Sequence, residues 1–363
     1  MKKVAIAAAV AGAFATSATA AELSTFIYQD YALGFTSDSS STATKDVSSV
    51  RILDAGSNMV NFNYSDDLGN GLGLIGSFSM TARGSGSVSS GGVDNRNSFI
   101  GLNGDFGKIT VGTHELLAEL EVILKDGWDA NYGGGGDPVR ITRIAGLGTS
   151  AVTASADGAT AAVAASDGVG FTARRAESVE WTSNDMNGLT LNVGYVENGA
   201  ASSTVDAKGT EVNAIYNVGS VRFSAGTGSH DDYGGTAGNT MDFTYVTASY
   251  DFGVASTSIG LANVEAKSGS TVYKQSGSHI NVTMPTANGR VIFNYAQQGD
   301  RDEGGTAQAN SGFSGYDVGY MHDASANTKL YVRYLSQSLE DDYTHTSGAV
   351  DSDTLQFGMR YVY

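Results

Sequence analysis

The chain has 363 residues, a formal net charge of −17, no cysteine and, with 48 glycines and two prolines, a composition unusual for a soluble enzyme of this size. The absence of cysteine argues against a disulfide scaffold. The acidic balance disfavours nucleic acid as a partner, because nucleic-acid binding requires a basic surface.

Residues 1–20, MKKVAIAAAVAGAFATSATA, have the pattern of a secretory signal peptide. Two lysines precede an apolar run, and Ala-Thr-Ala forms a small-residue cleavage site at its end. We therefore expect residues 21–363 to form an exported mature protein. Removing two lysines and no acid would lower the formal charge from −17 to −19.

A strict alternation of apolar and polar residues recurs along the rest of the chain. In LTLNVGY, residues 189–195, every odd position is large and apolar and every even position is small or polar. The same pattern occurs in VNFNY, SHINVTM, RVIFNY, GYDVGY and KLYVRY, and LQFGMRYVY extends it to the last residue. A period of two predicts strands with one apolar face.

The connections between these strands alternate in length. Tight turns such as DDLGNG, DFGK, NVGS and ANGR alternate with long polar segments such as SHDDYGGTAGNT and DRDEGGTAQANSGF. Short turns at one end and long loops at the other are typical of an outer-membrane β-barrel. The sequence therefore predicts an all-β, transmembrane antiparallel barrel as the single domain of residues 21–363.

We count sixteen predicted strands. A barrel of this size encloses water, whereas about eight strands would fill their own interior. The last strand must then pair with the first, with Tyr361 and Tyr363 facing lipid. The strands are predicted to begin near residues 23, 49, 71, 96, 108, 174, 189, 208, 221, 241, 255, 277, 290, 314, 329 and 353.

Six arginines fall in register with the small or polar residues of their strands. An arginine on the lipid face at the bilayer midplane would cost about 2 to 4 kcal/mol, so we expect none of the six to face lipid. They should line a wet lumen or lie at its rims. The six are Arg51, Arg83, Arg96, Arg222, Arg333 and Arg360.

The third long connection, residues 116–170, starts within HELLAELEVILKDGWDANYGGGGD, residues 114–137. Apolar residues recur at helical spacing at positions 116, 120, 123 and 124, and Glu115 lies one turn before Glu119, which predicts a short helix. If the connection folds partly into the pore, its acids would face the lumen arginines and create a transverse field. A solvated extracellular helix is the alternative. The acids expected at the constriction are Glu119, Glu121, Asp126 and Asp129.

Three segments carry a resemblance to a known family. NRNSFIGLNGDFGKITVG has an arginine before a Gly-Leu pair and a Phe-Gly turn after it. It resembles the fourth strand, tight turn and fifth strand of the general, trimeric porins of Gram-negative outer membranes, with Arg96 at the position of a lumen arginine. SDDLGNGL resembles the first periplasmic turn of that family, and RRAESVEWTSNDMNGLTLNVGY resembles its sixth and seventh strands. The terminal aromatic resembles the family's assembly signal.

The resemblance implies a homotrimer in outer-membrane lipid and lipopolysaccharide, inserted by the barrel-assembly machinery and admitting small hydrophilic solutes. This sequence departs from the family at Tyr363, where phenylalanine is usual, and at Met59, where many members have a pore arginine. The tract TSAVTASADGATAAVAASDG has no counterpart. With four acids set against Arg96, the constriction should prefer cations. A substrate-selective channel and a non-conducting structural or adhesion barrel remain alternatives.

No cofactor, metal or catalytic set is expected. GLGLIG, residues 71–76, fits a nucleotide-loop pattern but opens a strand and precedes no helix. The five histidines lie on different predicted elements without metal spacing. Acids in the outer loops could bind Ca²⁺ or Mg²⁺, or could simply be solvated.

Overall fold

A computed structural model describes residues 22–40, 47–54, 58–82, 93–122, 127–128, 143–144, 169–170, 174–197, 208–232, 237–340 and 350–363. The proposed signal peptide lies outside these ranges. Almost all described residues belong to strands of one continuous sheet. The predicted all-β barrel is confirmed.

The barrel has sixteen strands, each antiparallel to its neighbours. Two of them, β2 and β4, are interrupted, and both segments of each pair with the same preceding strand. The strands are β1 Glu22–Ser40, β2 Val47–Asp54 with Met59–Gly69, β3 Leu72–Ala82, β4 Val93–Asn95 with Ser98–Gly104, β5 Gly107–Glu115, β6 Arg174–Thr182, β7 Leu189–Glu197, β8 Lys208–Val218, β9 Val221–Asp231, β10 Thr240–Asp251, β11 Ser256–Ser268, β12 Thr271–Thr286, β13 Gly289–Gln298, β14 Phe313–Asp323, β15 Thr328–Leu339 and β16 Val350–Val362.

The short elements lie in the long connections. A six-residue helix, α1 (Leu117–Val122), follows β5. Arg143–Ile144 pairs with Val169–Gly170 in the same third connection, and Arg301–Glu303 pairs with Thr306–Gln308 between β13 and β14. Within the described residues, no helix is long and apolar enough to cross a membrane.

The last strand closes the barrel against the first. β16 pairs with β1 in an unbroken register from Tyr28 opposite Val362 to Ser40 opposite Val350. Beyond it, Tyr363 and Ile27 exchange two backbone hydrogen bonds of 2.9 Å. The closure leaves no unpaired strand edge at this seam, which a lipid environment requires. It also explains why the alternation reaches the final residue.

The two faces of the sheet differ as the alternation predicts. On β16, Leu355, Phe357 and Met359 are exposed on the outer face, whereas Thr354 and Arg360 on the inner face are almost completely buried. Large apolar side chains thus form an outer belt suited to lipid, and polar side chains point inward. The connections at one end are tight turns, such as Asn70 and its two flanking glycines with positive φ.

Candidate pore lining and constriction

The helix α1 packs against the inner face of β8–β10. Ala118 and Val122 are buried with Phe243 and Tyr245 of β10, whose side chains point inward. At the other end of the helix, the backbone N–H of Leu117 donates a hydrogen bond of 3.0 Å to Glu211 Oε2 of β8. A carboxylate at this position satisfies one of the free N–H groups at a helix start.

Glu121, on the same helix, forms a two-pronged ion pair with Arg222 of β9. Arg222 Nη2 lies 2.5 Å from Glu121 Oε1, and Arg222 Nε lies 3.3 Å from Glu121 Oε2. Arg222 also donates a hydrogen bond of 3.1 Å from Nη1 to Asn217. The pair lines a cavity of about 240 Å³ together with Lys108 and Glu180, both on the inner wall. Charge of both signs is therefore present in this part of the lumen.

Trp128 forms a second contact between the third connection and the inner wall. Its side chain is fully buried, and Nε1–H donates a hydrogen bond of 2.6 Å to Asp317 Oδ1 of β14. The guanidinium carbon of Arg333 lies 4.8 Å from the centre of the indole ring, within cation–π range. Arg333 Nη2 in turn donates a hydrogen bond of 2.9 Å to Asp317 Oδ2. Arg143–Ile144 of the same connection contacts β11 and β12, and the placement of the residues of 116–170 outside the described ranges stays a prediction.

A further buried ion pair lies on the inner face of the closing seam. Arg360 of β16 donates to Asp30 Oδ2 of β1 from Nε at 2.9 Å, and its Nη2 lies 2.8 Å from the same oxygen. Tyr331 of β15 donates a hydrogen bond of 2.8 Å to Asp30 Oδ1, and the ring of Tyr331 meets Trp128 edge-on with centres 5.8 Å apart. The seam and the Trp128 contact are therefore parts of one packed region.

Arg96 is buried, and its Nη2 lies 3.2 Å from Glu115 Oε1. The prediction that Glu115 shares a helical turn with Glu119 is wrong. Glu115 is the last residue of β5 and pairs with Arg174 of β6 in the sheet, so the helix begins two residues later, at Leu117. Ladder hydrogen bonds with β6 outweigh the local helical spacing here.

The remaining predicted site residues are described only in part. Tyr361 and Tyr363 lie on the outer face, with exposed fractions of 39% and 62%. Arg51 belongs to β2, opposite Gly34, and Glu119 belongs to α1, but both side chains lie outside the described set. Outside it entirely are Arg83, Asp126 and Asp129.

Sequence reasoning assigned Arg333 to the inner face but missed Trp128 and its hydrogen-bond partner Asp317. Trp128 is one of only two tryptophans, and it stands beside a glycine in KDGWDANY, which was the available signal. No group of three or more histidines and acids among the described residues is arranged to hold a metal ion.

A closed barrel of sixteen strands, with an apolar outer belt and a charged inner wall, defines an outer-membrane channel. The model of the Gram-negative porin family matches residues 5–342. The chain therefore belongs to this family and is an outer-membrane porin, which confirms the family and location expected from the sequence.

Known relatives agree with this membership. The major outer membrane protein P.IB of Neisseria meningitidis is 44% identical over 80 residues, a match that spans 22% of each chain. The anion-selective porin from Comamonas acidovorans has a TM-score of 0.73 at 19% identity, covering 95% of this chain and 100% of its own. OmpT of Vibrio cholerae, in its trimer form, has a TM-score of 0.64 at 14% identity, covering 95% and 100%. At sequence identities of 19% and 14%, the likeness to these two solved structures shows the fold alone.

Proposed function

We propose that this porin is a passive diffusion channel for small hydrophilic solutes and ions, with a preference for cations. The observation that carries the proposal is the division between an apolar outer face and an inner wall bearing Lys108, Glu180 and the Glu121–Arg222 pair. Mixed charge and amide groups offer hydrogen bonds to many polar solutes and favour no single shape, which suits general permeation.

The cation preference is supported by the pairing of the arginines. Each of four arginines has a carboxylate within hydrogen-bond or ion-pair distance, so its positive charge is locally compensated. The pairs are Arg96–Glu115, Arg222–Glu121, Arg333–Asp317 and Arg360–Asp30. Acids of the third connection, Glu119, Asp126 and Asp129, then add negative charge to the constriction. Charge there governs selectivity, because loop charges are screened beyond about 8 Å at physiological salt.

The same proposal includes a homotrimer. It is supported by the resemblance to trimeric porins and by the trimer form of OmpT, which shares the fold. The outer belt would contact lipid and lipopolysaccharide. Tyr361 and Tyr363, exposed at the end of β16, would be the residues that the barrel-assembly machinery recognises.

Planar-bilayer recording across a potassium chloride gradient tests the proposal. We expect stepwise conductance and a reversal potential on the cation-selective side. Absence of conductance would favour a structural barrel, and block by one solute class only would favour a substrate-selective channel. A reversal potential on the chloride side would overturn the cation preference.

A further inference from the structure

Two of the described contacts between the third connection and the barrel lie close together in sequence. The first is α1 on β8–β10, and the second is Gly127–Trp128 on β12–β15. Val122 and Gly127 are five residues apart, so the two contacts can be no more than about 18 Å apart. Two fixed points this close limit how far the chain between them can extend, and the second point holds the chain at β13–β15 through Trp128.

The indole of Trp128 fits a recess in the wall. A Cβ atom at Gly319 would lie 2.7 Å from Trp128 Cη2, so a side chain there would occupy the space of the ring. Four apolar or aromatic neighbours surround the ring from β1, β13, β14 and β15. They are Ala32, Ile292, Met321 and Tyr331. The recess therefore matches a large aromatic side chain.

The polar partners in the recess match an indole in particular. Asp317 accepts hydrogen bonds from Trp128 Nε1 at 2.6 Å, from Asn294 Nδ2 at 3.0 Å and from Arg333 Nη2 at 2.9 Å. Asn281 extends the network by donating a hydrogen bond of 2.7 Å from Nδ2 to Asn294 Oδ1. If Trp128 left, the Asp317 carboxylate would lose one of three donors, and burying a carboxylate with fewer partners is costly. Phenylalanine would fill the recess without supplying that donor.

Gly127 allows the tryptophan to reach the recess. Its φ is +72°, where side chains are strained, and an added Cβ would lie 2.7 Å from Asn281 Nδ2 and 2.7 Å from Thr283 Oγ1. The chain thus lies against β12 with no room for a side chain at this position. The backbone at position 127 therefore favours glycine, and the recess favours a tryptophan at position 128.

We propose that Trp128 is a positioning residue that anchors the third connection to β13–β15 and thereby sets the width of the pore. The inference rests on the proposed conducting channel. Trp128 acts through the chain it holds, since its own side chain is fully buried.

Fluorescence tests the anchor without any need for conductance. The chain has two tryptophans. Trp181 lies apart from the recess, and its Nε1–H donates a hydrogen bond of 2.9 Å to the backbone oxygen of Phe106 beside a tight turn. Trp181→Phe leaves Trp128 as the only tryptophan. We expect blue-shifted emission with little acrylamide quenching, and a red shift with several-fold stronger quenching when Asp317→Ala is added. Solvent-exposed emission from the inserted Trp181→Phe protein would overturn the inference.

Single-channel recording tests the consequence for the pore. Trp128→Phe and Trp181→Phe form a matched pair, since each removes one indole N–H. Because the third connection is then no longer held at a fixed distance from the wall, we expect Trp128→Phe to change the mean conductance and widen its distribution, Trp128→Ala to do so more strongly, and Trp181→Phe to match the wild type. If Trp128→Ala fails to insert, the conductance of Trp128→Phe alone tests the inference. Unchanged conductance in an inserted Trp128 variant would overturn the inference, whereas a non-conducting wild type would overturn the proposed function.

Discussion

At the scale of single residues, buried charges on the inner wall occur as pairs. Arg360 and Asp30 each have no more than 1% of their surface exposed, and the pair joins the last strand to the first. A buried pair of this kind offsets its own desolvation only while both partners are present. By contrast, Lys274 and Glu265 form an ion pair on the outer surface with roughly half of each side chain exposed. The two pairs should therefore differ greatly in their effect on stability.

We predict that Asp30→Ala lowers the free energy of unfolding by about 3 to 5 kcal/mol, because it leaves Arg360 buried without its carboxylate. Glu265→Ala, the exposed control, should cost no more than about 1 kcal/mol. Denaturant unfolding of barrels in lipid vesicles measures both. Adding Arg360→Met to Asp30→Ala should recover part of the loss. Equal effects of Asp30→Ala and Glu265→Ala would contradict the prediction.

At the scale of strands, alternation in the sequence was sufficient to locate the elements. Fifteen of the sixteen strands begin within three residues of the predicted positions. The exception is β12, predicted near residue 277 and beginning at Thr271. Its first residues bear Lys274 and Ser276 on the outer face, so the apolar face that defines the pattern is missing there. A strand that extends past the apolar belt has no two-residue signal to detect.

Alternation cannot show which inward residues meet. It assigns Asn294 to the inner face, but it does not reveal that Asn294 bonds to Asn281 and Asp317 and is fully buried. These contacts join neighbouring strands and, through Trp128, a distant loop. They depend on the register between strands and on the path of the third connection, neither of which is encoded locally.

We predict that the end of β16 is needed for insertion. Changing Tyr361 and Tyr363 together to aspartate should abolish folding into vesicles, because two charges would replace lipid-facing rings beside the closing seam. Changing both to phenylalanine keeps the rings and should leave insertion unchanged. The shift in gel mobility between folded and unfolded barrels measures the inserted fraction. Normal insertion of the aspartate variant would show that closure does not depend on these side chains.

At the scale of the whole molecule, a large net charge coexists with local neutrality along the inner wall. The carboxylates of Asp351 and Asp353 lie on the outer face of β16. Glu121 and Arg222, by contrast, form an ion pair on the lumen side of β9. Only the second group can act on a permeating ion at short range, because exposed charges are screened by salt. Selectivity should therefore follow a few inward charges and be insensitive to most of the acidic surface.

We predict that Glu121→Gln moves the reversal potential toward anions, because it converts a neutral ion pair into a net positive charge beside the ion path. The substitution removes a carboxylate and also uncovers Arg222, whose side chain is 31% exposed and loses its ion-pair partner. Replacing Glu119, Asp126 and Asp129 by their amides as well should extend the shift. Adding Arg222→Gln to Glu121→Gln should return the reversal potential close to the wild-type value, since the pair is neutral as a whole. Asp353→Asn is the control on the outer face and should have almost no effect, because its side chain is exposed on the side of the sheet away from the lumen, where salt screens its charge. If Glu121→Gln and Asp353→Asn gave the same reversal potential, Glu121 would not lie on the ion path. The cation preference would then have to arise from acids elsewhere in the third connection.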